Sequence, residues 1–174
     1  MTTAINIALI AILAALAVQD FRFRGIWWGW IPLLLAGFAW KGVVAMGAGE
    51  WATASGLNLA LVLGQLAVVA LYFSLRNGKL TNILKGYFGL GDLLFLVAVA
   101  GAFSTPAFLI WYLAALMLTL LGVAIWKVVW KPQKLSIPLA GAMALVLIAF
   151  MTVDLAATGI DLYDDYWLVA LLPA

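Results

Sequence analysis

Two aspartates, Asp20 and Asp92, are the acidic residues that this chain sets beside its basic loops, and Asp92 stands in Gly89-Leu90-Gly91-Asp92. Two carboxylates within hydrogen-bond reach work with one proton between them. The charged one takes a proton from water as general base, while the protonated one polarises a carbonyl, and the titration belongs to the pair. Hydrolysis of a peptide bond is the chemistry such a pair supplies. The rest of the composition narrows the choice. With 0 Cys and 0 His, the chain has no thiolate nucleophile, no Ser-His-Asp or Cys-His arrangement, no disulfide and none of the usual zinc ligand sets. No metal or cofactor is expected at the pair.

The elements that must position these acids are membrane helices. Hydrophobic residues make up 68% of the 174 and charged ones 9%, with a mean hydropathy of +1.19, so the sequence predicts an all-α polytopic membrane protein. Six apolar segments are expected at 4–18, 27–46, 51–75, 87–104, 107–126 and 135–153, each near the roughly 17–25 residues that a bilayer core requires. The first is read as a retained helix, because no basic stretch precedes it and Ala17-Val18-Gln19-Asp20 is a poor cleavage site. Pro106 suits the first turn of the fifth helix, and 131–134 suits a turn before the sixth. Trp27, Trp28, Trp30, Trp51, Trp126 and Trp130 fall at segment ends, where indole rings favour the headgroup region. The whole of 1–174 reads as a single six-helix domain, with 159–174 an interfacial tail too short to span.

Charge sets the expected orientation. The loops after helices one, three and five hold Arg22, Arg24, Arg76, Lys79, Lys85, Lys127, Lys131 and Lys134, and only Lys41 lies opposite. By the positive-inside rule those loops are cytoplasmic and both termini are outside. The pI of 9.0 reflects this asymmetry, and no nucleic-acid partner is expected. Glu50, Asp154, Asp161, Asp164 and Asp165 sort to the outer side, which leaves Asp20 and Asp92 on the cytoplasmic face just below the interface. An aspartate carried deeper costs about 2.5–3.5 kcal/mol on insertion scales, and is usually kept for function or for pairing inside the bundle. Gly89 and Gly91 are expected to break the helix beside Asp92 and open the site to substrate.

Three stretches then carry a family resemblance. Asp20-Phe21-Arg22-Phe23-Arg24-Gly25-Ile26 resembles the Asp-x-Arg-x-Arg-x-Ile segment of type IV prepilin peptidases, and Gly89-Leu90-Gly91-Asp92 resembles their Gly-x-Gly-Asp motif. Ser136-Ile137-Pro138-Leu139-Ala140-Gly141 is similar to the Ile-Pro start of their last helix. The resemblance implies an intramembrane aspartyl endopeptidase with Asp20 and Asp92 catalytic, cutting the basic leader of prepilin-like or preflagellin-like precursors on the cytoplasmic side of the inner membrane. Trp27-Trp28 stands where the family carries Pro-Asn, and Leu94 where it carries Lys. Without cysteines the chain is similar to the short, cleavage-only members, and methylation is not expected.

Other readings stand beside this one. Asp20 with Arg22 and Arg24 is also a helix-end anchor, and Asp92 after a glycine is also a helix N-cap. The arginines are expected as topology determinants and lipid ligands that would support Asp20 or contact substrate. A catalytically inactive family member, a proton- or cation-binding carrier and an assembly subunit are the competing functions. Gln19, Asn58, Gln65 and Ser74 read as interhelical hydrogen-bonding groups, and Tyr87 and Phe88 as a belt or gate beside the glycines. A metal site on Asp161, Asp164 and Asp165 would need further ligands.

Overall fold

The computed structural model describes residues 2–80, 89–130, 138–156 and 162–165. Tyr87, Phe88, the 131–134 turn, Ser136, Ile137, Asp161 and most of the 159–174 tail lie outside the described residues. Within them the chain forms six helices and no strand: α1 (Thr2–Phe23), α2 (Trp30–Met46), α3 (Ala48–Asn77), α4 (Leu90–Val99), α5 (Thr105–Trp130) and α6 (Leu139–Ala156). Helix is the conformation apolar sequence must adopt away from water, because it satisfies every interior amide and carbonyl within the segment. At about 1.5 Å per residue, α1, α3 and α5 reach roughly 33, 45 and 39 Å, and all three are long and apolar enough to cross a membrane. α2, α4 and α6 are shorter apolar helices.

Local chemistry sets the ends. α1 closes where Arg24 turns left-handed at φ 53 and its amide donates to the Asp20 carbonyl at 2.9 Å. A side chain in that conformation costs about 1–2 kcal/mol, so the end of α1 is held by its surroundings. Gly47, at φ 84, accomplishes the α2–α3 reversal in one residue: its amide closes α2 on Val43 and its carbonyl accepts from Trp51 as α3 begins. Ser104 caps α5 through its side chain to the Ala107 amide, with Pro106 in the first turn as expected.

The fourth element departs from expectation. A span over 87–104 was anticipated, yet α4 stops at Val99 and the chain turns through 100–104. The physical cause is competition for carbonyls. Asn58 Nδ2 donates to Ala100 O and Phe103 O at 2.9 and 3.2 Å, and Trp51 Nε1 donates to Gly101 O at 3.0 Å. These donors from α3 satisfy backbone groups that a continuing helix would have used, which is the condition for a broken helix inside an apolar bundle. Trp51, expected at the headgroups, is therefore a half-buried packing residue.

The expected interfacial tail also differs where it is described. Leu162 and Tyr163 are buried, Leu162 O accepts from the Ser104 amide at 2.9 Å, and Ser104 Oγ donates to Asp165. This segment plugs the end of the bundle at the α4–α5 turn. There Lys41 of α2 meets Asp154 of α6 at 3.6 Å, with the ammonium 5.5 Å from the Tyr163 ring centre.

Between the ends lies one core. Leu9, Leu13 and Leu16 of α1 and Met143, Leu147 and Met151 of α6 share it with Phe38, Phe95, Phe103, Phe108 and Trp111 of α2, α4, α5 and the α4–α5 turn, and Leu9 packs over Gly37 of α2. α2, α3 and α5 keep an apolar outer face as well: Leu33, Val44, Val68, Leu71, Leu120 and Ile125 are all exposed. In water such a surface would aggregate; against lipid it is the expected exterior.

Candidate active site

The site is built on the start of α6. Pro138 precedes that helix and offers no side-chain acceptor, so the first amides of α6 need acceptors from elsewhere. A capping side chain normally serves the second or third helical amide, here those of Ala140 and Gly141. Asp92 Oδ1 accepts from the Ala140 amide at 2.9 Å and Asp20 Oδ2 from the Gly141 amide at 2.7 Å. Residues 121 positions apart in one bond and 48 in the other thus meet on two consecutive peptide units. Asp20 and Asp92 lie within electrostatic range of each other, before the positive end of the α6 dipole.

Three glycines shape the space around them. A Cβ on Gly89 would lie 2.8 Å from Asp92 Oδ2, and the Gly89 amide donates to the same carboxylate. Asp92, three residues on, reaches back to the residue that caps its own helix, which is half of a capping box. A Cβ on Gly141 would lie 3.1 Å from Asp20 Oδ2 and 3.2 Å from Phe21. Gly91 does something different. The anticipated break occurs at Gly89, whose backbone is extended (φ −72, ψ 138), whereas Gly91 sits inside the first turn of α4. Ile26 packs over it, its Cδ1 3.4 Å from where a Cβ would stand, which is ordinary van der Waals contact.

All three stretches singled out in the sequence therefore interlock. Asp20 and Phe21 rest on Gly141, Ile26 rests on Gly91, and Asp92 rests on Gly89 and Ala140. Asp20 is buried at 6% exposure, and Asp92 is half-buried. Among the described residues Asp20 uses Oδ2 alone in hydrogen bonding. Arg22 and Arg24 are exposed, and no ion pair among the described residues joins either to Asp20. The support expected from them comes instead from the Gly141 amide.

Two residues of the site were not anticipated as such. Ala140 and Gly141 contribute only backbone, which no side-chain inventory reveals; the readable signal was Pro138 followed by a small-residue helix start, a place where amides lack partners. Gln19 was expected to bridge helices. It holds the α1–α2 connection, its Oε1 accepting from the Trp27 amide at 3.0 Å and from Trp30 Nε1 at 3.1 Å, and so fixes the path that delivers Ile26. Comparison with protein-family models, with curated proteins and with solved structures returns no match.

Proposed function

We propose that the chain is a six-helix intramembrane aspartyl endopeptidase that removes the cationic leader from prepilin-like or preflagellin-like precursors. The observation that carries this reading is the convergence of Asp20 and Asp92 on the consecutive amides of Ala140 and Gly141. In the proposed reaction the ionised carboxylate takes a proton from water as its oxygen attacks the scissile carbonyl. The other carboxyl gives its proton to the carbonyl oxygen. The tetrahedral intermediate then collapses: the proton gained from water passes to the departing amine, and the proton lent to the carbonyl oxygen returns from the diol to its carboxylate, leaving a free acid, a free amine and the pair as it began. Backbone donors hold the carboxylates in place without neutralising them, as a pair that must trade one proton requires.

The membrane arrangement belongs to the same proposal. α2 and α6, at roughly 26 and 27 Å, approach the hydrocarbon thickness within the reach of modest bilayer thinning. α4 is shorter still at ten residues, its closing turn satisfied by α3. The basic residues Arg22, Arg76 and Lys127 stand in the last turns of α1, α3 and α5, and the one contrary cation, Lys41, is paired with Asp154. This supports a cytoplasmic site with both termini outside.

A second reading has its own observation. Both acids act as the missing cap of α6, so a purely structural pair in a non-enzymatic membrane subunit accounts for the same bonds. The experiment is cleavage by the purified protein of a synthetic single-span precursor, carrying a cationic leader, a glycine and an apolar segment. The peptidase reading predicts one cut on the cytoplasmic flank, located by mass. Intact precursor after prolonged incubation favours the structural pair.

A further inference from the structure

We infer that the groove between the end of α1, α5 and α6 seats the apolar membrane segment of the substrate, an inference that rests on the peptidase reading. The groove has a volume of about 570 Å³ and is lined by Phe21, Arg24, Gly122, Trp126, Pro138 and Ala142, among others. That volume is ample for a bound apolar group. What commits the occupant is continuity with the acid pair. Phe21 directly follows Asp20 and touches the position of Gly141, while Pro138 and Ala142 bracket the two amides that hold the carboxylates. Site and groove share one wall.

The groove also faces the right solvent. Leu118 and Leu145 on its rim are exposed by 55% and 50%, so it opens sideways to lipid, the direction from which a membrane-inserted segment arrives. Among the described residues that line the groove only Arg24 is charged, and the α5 residues Leu118, Gly122, Val123 and Trp126 give it an apolar wall. On α5, a Cβ at Gly122 would meet nothing within 4 Å. That vacancy lets a helix backbone approach closely, as small residues do at helix contacts in bilayers. A phospholipid chain would also be apolar, yet nothing in its chemistry calls for a seat against the acid pair.

Gly122→Phe tests this, because the new ring enters open space and the fold tolerates it. Two substrates are compared: the single-span precursor in liposomes, and a short peptide with the same leader and cleavage region but no apolar segment. Wild-type protein prefers the precursor. Gly122→Phe lowers kcat/KM for the precursor by at least about tenfold, mainly through KM, and so erases the preference. Leu61→Phe, the same bulk on the lipid face of α3, leaves both substrates as in wild type. An undiminished preference in Gly122→Phe overturns the inference, as does native mass spectrometry in which that variant loses a bound phospholipid while precursor cleavage holds. Failure of the wild type to cut either substrate instead contradicts the peptidase reading itself.

Discussion

At the scale of single residues, the glycines are as informative as the acids. Gly89 and Gly141 each leave room for one carboxylate, so adding a methyl group tests position without changing charge. Gly89→Ala places its Cβ 2.8 Å from Asp92 Oδ2, and the carboxylate must move by several tenths of an ångström or more. A misplacement on the order of 1 Å costs roughly 100-fold in rate, so peptide cleavage should fall between about tenfold and 100-fold in Gly89→Ala. Gly141→Ala, at 3.1 Å from Asp20 Oδ2, should fall less. Gly56→Ala is the control: its Cβ meets nothing within 4 Å in α3, and a helical Gly→Ala change should raise stability by about 0.5–1 kcal/mol with turnover intact. Steady-state kinetics and detergent unfolding of the three variants separate these outcomes. The identity of Asp20 and Asp92 was legible in the sequence because acids are rare in apolar spans. The place of Gly91 was not, since a glycine in the first turn of a helix, packed under Ile26, and a glycine that breaks a helix look the same until the neighbour is known.

At the scale of elements, the α4–α5 turn is the joint that sets where Asp92 sits. α4 is ten residues long, so its N-terminal acid is positioned by what clamps its C-terminal end. Asn58 does this through Ala100 O and Phe103 O, within the buried face of α3. Asn58→Leu leaves those carbonyls without their donor and should destabilise the fold by about 1–3 kcal/mol, read as a lower midpoint of unfolding in detergent. Turnover should drop as well, because α4 loses its register against α6. The presence of α1, α2 and α5 was legible from hydropathy, but α1 and α5 run past the expected 4–18 and 107–126 to Thr2–Phe23 and Thr105–Trp130, because hydropathy reports how long a segment stays apolar and a helix continues through the polar residues at its ends. The early stop of α4 was not, because 93–103 carries no polar side chain to mark it and the interruption is imposed by donors from α3, more than 40 residues away in sequence.

At the scale of the whole molecule, the account predicts a definite topology. The chain has no cysteine, so a single introduced thiol reports its own side of the membrane. Lys79→Cys should react with an impermeant maleimide only from the cytoplasmic side, and Ala48→Cys only from the opposite side; the reverse pattern would place the acid pair outside and contradict leader cleavage. The same scale holds the central claim, that Asp20 and Asp92 form a reacting pair and not only a cap for α6. Asparagine separates the two roles, since its carbonyl oxygen still accepts the Gly141 or Ala140 amide while its amide group cannot trade a proton. The decisive measurement is therefore cleavage of the single-span precursor by Asp20→Asn and Asp92→Asn, with unfolding followed in parallel. The account predicts that each variant stays within about 1 kcal/mol of the wild-type stability and loses all detectable cleavage. Wild-type-like turnover in either variant would contradict it.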